Sequence, residues 1–169
     1  MKQKYTTRKI CVLGLLAAIT VILGLVATIR IGNLIKIPLK FVSVFVVGFL
    51  YGPIPAGMVA GIADFLEALK LGVNPAITMV EFLGGVIFGL SFLKAKENGT
   101  YYFRAVVCAT LQFALNFFAM SLILKTMGIY PTFWAAVSVR LPAMIIIFIL
   151  QVIVMCGGRK LAFNLKKFL

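Results

Sequence analysis

A chain of 169 residues that is 63% apolar, with apolar runs long enough to cross a bilayer, reads as a polytopic membrane protein and not as a soluble globule. Its net charge of +13 has no soluble basic face to sit on, which argues against nucleic-acid binding and for topogenic charge flanking membrane helices. Histidine is absent, which excludes imidazole metal sites and His-based triads, and Cys11, Cys108 and Cys156 stand alone without a CxxC pair.

In chain order, Met1–Lys9 carries Lys2, Lys4, Arg8 and Lys9 and is expected on the cytoplasmic side. It shows no cleavage pattern, so the apolar run after it is expected to stay as a helix. That first helix is expected over Ile10–Ile29, running outward, with Gly14 and Ala18 on one face that admits close helix approach. Arg30–Lys40 follows as an outer loop. The second helix, Phe41 to about Tyr51, is short for a span. Gly52-Pro53-Ile54-Pro55 breaks the chain, because proline lacks a donor and restricts its predecessor.

A third helix is expected from Ile54 to Leu71, and Gly72-Val73-Asn74-Pro75 turns the chain on the outer side. A fourth runs inward over Ala76–Leu93, with Gly85 and Gly89 as a second close-packing face. Lys94–Phe103 is an inner loop, the fifth helix covers Arg104–Leu124, and Lys125–Thr132 is the third outer loop. The sixth helix covers Phe133–Cys156. The end, Gly157–Leu169, has the pattern of a short amphipathic segment at a membrane surface. The expected fold class is therefore all-α: six transmembrane helices in one bundle, both termini cytoplasmic, one domain over 1–169.

The outer side breaks the positive-inside rule. Arg30, Lys36, Lys40, Lys70 and Lys125 lie there, and Arg140 falls in the outer third of the sixth helix. Two readings compete: cations that attract an anionic ligand, or snorkelling lysines with a structural arginine. Acidic residues gather at the same level. Asp64 and Glu67, three apart, are neighbours on the third helix, and Glu81 lies early in the fourth with Thr78 beside it and Asn74 before it. Ionisable groups in a membrane helix face protein or a wet cavity. These carboxylates are thus ligand acceptors or members of an internal ion pair, for example Asp64 with Arg140. Asn116 is placed to reach the floor of an outer pocket, whereas Gln112 and Gln151 read as helix–helix glue. The inner half offers no continuous polar path, which argues against a channel.

No phosphate-binding loop, zinc-protease motif or activated nucleophile is present, so neither catalysis nor a metal or cofactor is expected. An independent carrier with Asp64 or Glu67 as proton site is the competing transport class.

With these residues in place, the chain resembles the substrate-binding S components of energy-coupling-factor (ECF) vitamin transporters. The resemblance rests on Gly48-Phe49-Leu50-Tyr51-Gly52-Pro53, then Gly57, Gly61 and Ala63-Asp64. It is closest to the folate-type members, through Ile35-Lys36-Ile37 and Gly85-Val86-Ile87-Phe88-Gly89-Leu90. It departs from them at Asn74-Pro75-Ala76-Ile77-Thr78, where those members carry an aromatic-rich loop, and at Glu81, where a small residue is usual.

What the resemblance implies is a bacterial cell-membrane protein that binds an anionic vitamin, folate first, another vitamin or heterocycle such as pantothenate or a queuosine precursor second. It implies docking on a membrane coupling subunit served by two cytoplasmic ATPases. The substrate site would draw on Arg30, Lys36, Lys40, Asp64, Glu67, Asn74, Thr78, Glu81, Asn116 and Arg140. Docking would use Gly14, Ala17, Ala18 and Val21 low on the first helix.

Overall fold

The computed structural model describes residues 7–26, 28–31, 35–69, 72, 74–93 and 100–168. Almost all of them are helical: α1 (Thr7–Val26), α2 (Lys40–Tyr51), α3 (Pro53–Ala68), α4 (Pro75–Phe92), α5 (Thr100–Leu115), α6 (Ser121–Thr126), α7 (Phe133–Gly157) and α8 (Arg159–Phe168). A π-turn over Asn116–Met120 joins α5 to α6 in one helical rod, Thr100–Thr126. Lys70 lies outside the described residues.

The segment expected as an irregular outer loop is instead a two-stranded antiparallel ribbon, β1 (Thr28–Ile31) and β2 (Ile35–Pro38). α1 accordingly ends three residues before the expected Ile29. The cause is composition: Thr28, Ile29, Ile31, Ile35 and Ile37 are β-branched and alternate with Arg30 and Lys36. The register pairs Arg30 with Lys36 and Ile29 with Ile37. Lys40, expected at the end of a loop, is the first residue of α2.

Among the described residues, four helical segments have the length and apolarity to cross a membrane: Lys9–Val26, Pro75–Phe92, Thr100–Thr126 and Phe133–Gly157. α2, with 12 residues, is only about 18 Å long, against about 30 Å of bilayer hydrocarbon. It stops at Gly52, whose φ of 91° lies in the region that favours glycine, and Pro53 then opens α3 with a preset φ.

Glycines let α2, α3 and α4 meet backbone to backbone. A side chain at Gly85 would strike the Ala56 carbonyl, one at Gly89 would strike Pro53, and one at Gly48 would strike the backbone at Gly89. Gly57 similarly faces Phe82 and Val86. Below this contact Phe45, Phe49, Phe92, Tyr101 and Phe163 form one aromatic cluster, with Phe45 and Phe92 edge to face at 5.1 Å. Tyr101 is fully buried and donates its hydroxyl proton to the Met155 carbonyl at 2.8 Å. Arg104 donates to the Leu93 carbonyl at 2.9 Å, where a cation suits the end of α4.

A small polar knot ties α1 to α2. Thr20 Oγ1 donates to Ser43 Oγ at 2.8 Å, and Ser43 Oγ donates to the Leu16 carbonyl at 3.1 Å. Both side chains are buried, so neither hydroxyl is left without a partner.

Candidate functional site

Three of the chain's four acidic residues converge on one lysine. Lys40 Nζ lies 3.6 Å from Asp64, 3.5 Å from Glu67 and 3.5 Å from Glu81. The sequence suggested Arg140 as the internal partner of Asp64; the partner is Lys40. Geometry explains the choice. Lys40 opens α2, where that helix meets the last turns of α3 and the second turn of α4, and its long stem carries the ammonium between them.

The cluster is graded in exposure. The Lys40 side chain is 9% exposed, that of Asp64 12%, that of Glu67 20% and that of Glu81 31%. Both oxygens of Asp64 have a partner: one faces Lys40 and the other accepts a hydrogen bond from Thr78 Oγ1 at 2.9 Å. Glu67 differs, because its Oε1 is buried with no hydrogen-bond partner. The lysine contacts are longer than the ~2.7–2.9 Å of a tight charged hydrogen bond, so the ammonium is shared and not clamped. Three carboxylates around one ammonium leave a surplus of negative charge and free acceptor capacity.

Arg140, on α7, supplies the opposite chemistry. Its Nη1 is buried with no hydrogen-bond partner, and it makes no ion pair with the described carboxylates. A buried, unpaired guanidinium nitrogen is costly unless something meets it. The ribbon that carries Arg30 and Lys36 leads into α2, and α7 packs against β2.

Gly24 was not singled out in the sequence. It is buried on α1, and any side chain there would collide with the Glu67 carboxyl group. The glycine therefore lets α1 close one wall of the site. No sequence pattern marks it, since a lone glycine in an apolar helix looks like packing.

Several expected residues lie differently. Asn74 is a helix cap: its side chain accepts from the Ala76 N–H at 2.9 Å and contacts Met127 Sδ at 3.0 Å. Asn116 lies in the π-turn and donates to the Gln112 carbonyl at 3.1 Å. Gln112 donates to the Gly84 carbonyl at 2.6 Å, the helix glue expected of it. On the proposed docking face, Gly14 and Ala18 are exposed, and a side chain at Gly14 would meet nothing. Ala17 packs inward against the cluster around Val47 and Val59, and Val21 is half-buried.

Among the described residues no group of His, Cys, Asp or Glu is arranged to hold a metal ion. An ionic cluster shared by three helices of an apolar bundle, with four segments long enough to cross a bilayer among the described residues, marks a membrane protein. The chain belongs to the family of ECF transporter substrate-specific components, whose family model matches residues 8–157. That family is one of transporter components and not of enzymes. Among solved structures, the chain is similar to FolT bound with folic acid, with a TM-score of 0.77 and 27% identity over 89% of this chain and 91% of that one. No curated protein sequence matches it.

Proposed function

We propose that this protein is the folate-binding S component of an ECF-type importer. The observation that carries the reading is the pairing of a carboxylate-rich acceptor wall (Asp64, Glu67, Glu81 around Lys40) with the unpartnered Arg140 guanidinium nitrogen, in a fold similar to that of FolT bound with folic acid. A pterin ring offers N–H donors to Glu67 and Glu81, while the glutamate tail offers carboxylates to Arg140, Arg30 and Lys36. The chain spans the membrane six times, α2 and α3 included, with both termini in the cytoplasm of a bacterial cell. It hands its ligand on by docking, through the exposed Gly14–Ala18 face of α1, to a membrane coupling subunit driven by two ATPases.

Titration of the purified protein with folic acid, followed by tryptophan fluorescence or calorimetry, tests this reading. Saturable one-to-one binding supports it; no heat and no quench across oxidised and reduced folates rejects it. One observation favours a second ligand class. The surplus carboxylates, and the Asn74–Thr78 segment without aromatic residues, suit a smaller heterocycle rich in N–H donors. Binding of such a heterocycle in the same titration, with folates silent, selects that reading.

A further inference from the structure

The turn between α6 and α7, residues 127–132, is fixed at both ends. Gly128, with a φ of 72°, closes α6 by donating to the Lys125 carbonyl at 3.0 Å, and Ile129 donates to the Leu124 carbonyl at 3.2 Å. Thr132 caps α7 by accepting from the Ala135 N–H at 3.2 Å. From the side, the Asn74 amide meets Met127 Sδ at 3.0 Å, which fastens the turn to the start of α4. A loop set on a rigid frame in this way is a common place for ligand contacts.

Tyr130 is the one residue of this turn that is not exposed; Met127, Gly128, Ile129, Pro131 and Thr132 all are. Beside it is Arg140, and the two side chains lie within electrostatic range of each other, as do Arg140 and Glu81. Arg140 therefore links Tyr130 to the carboxylates around Lys40, and its own Nη1 is buried with no hydrogen-bond partner. The other aromatic residues at this end contact one another. Phe117 meets Phe118 at 5.0 Å and Phe133 at 6.0 Å, and Phe133 meets Trp134 at 5.7 Å. Among the described residues no ring lies against Tyr130. A half-buried ring without a ring partner, next to an unmet guanidinium nitrogen, suits a ligand that brings both a flat ring and an acceptor oxygen.

We propose that Tyr130 is a specificity-determining residue of the candidate site and stacks on a flat ring of the ligand. The proposal rests on the folate reading of that site and deepens it. It also accounts for a departure in the sequence. Asn74–Thr78 has no aromatic residue, and the turn fastened to Asn74 brings one to the same end of the bundle.

The test is calorimetric titration of the full-length protein in detergent with folic acid, run on wild type, Tyr130→Leu and Tyr130→Phe. Leucine keeps much of the bulk without a π face; phenylalanine keeps the face without a hydroxyl. Tyr130→Leu is expected to weaken binding about ten- to a hundred-fold, the range for losing one base–aromatic stack, and Tyr130→Phe to stay near wild type. The absorption band of bound folic acid is expected to lose intensity in wild type and Tyr130→Phe and to recover it in Tyr130→Leu, which a purely structural role would not produce. Tyr130→Met stands in if Tyr130→Leu melts early. Equal binding by all three proteins overturns the proposal. Equal weakening in both variants also overturns it, because the hydroxyl would then carry the effect. If folic acid does not bind wild type, the folate reading fails, and pterin and guanine replace it as probes in the same series. Binding of either that is lost in Tyr130→Leu alone upholds the role of Tyr130; no binding of any of the three compounds overturns it.

Discussion

Lys40 Nζ and Asp64 Oδ1 lie 3.6 Å apart, and this ion pair joins the first turn of α2 to the last turns of α3. Because Glu67 and Glu81 share the same ammonium, three helices hold each other at one point. Lys40 therefore has a structural role as well as a place in the candidate site. Replacing Lys40 with Met is expected to leave three carboxylates without their common partner and to lower stability by about 3–5 kcal/mol, the cost of breaking a buried pair. The thermal midpoint of the ligand-free protein in detergent measures this; an unchanged midpoint would mean that the cluster does not hold the bundle.

Asp64 and Glu81 are expected to separate stability from binding. Asp64 is buried with a partner on each oxygen, whereas Glu81 is the most exposed of the three carboxylates. Glu81→Gln is expected to leave the melting temperature close to wild type and to weaken folate binding by about 1.5–3 kcal/mol, the range for a charged hydrogen bond. Asp64→Asn is expected to lower both. Calorimetric titration beside a melting curve distinguishes the two patterns.

The glycines divide in the same way. A methyl group at Gly24 meets only the end of the Glu67 side chain, which can swing aside; one at Gly85 meets the Ala56 backbone, which cannot. Gly24→Ala is thus expected to displace Glu67 from Lys40 and reduce ligand affinity with little loss of fold. Gly85→Ala is expected to force α3 and α4 apart and destabilise by about 1–3 kcal/mol, as overpacking does. Equal melting temperatures for the two variants would contradict this assignment.

Gly14→Leu tests the docking face. The position opens onto empty space, so neither folding nor ligand affinity should change. Uptake by vesicles that also contain the coupling subunit and its ATPases is expected to fall to background. Undiminished uptake would remove this face from the coupling interface.

In the aromatic cluster, Tyr101→Phe removes the buried hydrogen bond to the Met155 carbonyl. A loss of about 0.5–1.5 kcal/mol is expected. Denaturation in a detergent series reads it directly.

The helices themselves were legible before any coordinates. Long apolar runs must be helical in lipid, because every backbone polar group has to be satisfied within its own segment. The Gly52-Pro53 break and the glycines of α4 carry their geometry locally, so the observed α2, α3 and α4 begin and end within three residues of expectation. The level of Asp64, Glu67 and Glu81 was legible for the same reason: a carboxylate's depth follows from its place along one helix. What one dimension could not show was partnership. Lys40 read as a loop cation, and Arg140 was the mate suggested for Asp64, because ion pairing between helices depends on which faces the glycine contacts turn toward each other. The ribbon was missed because its alternation is short and lies between two strong helical signals. Depth and helicity are properties of a segment; the sharing of Lys40, the unpaired Arg140 nitrogen and the fit of Gly24 over Glu67 arise only when segments pack, and tertiary structure alone decides them.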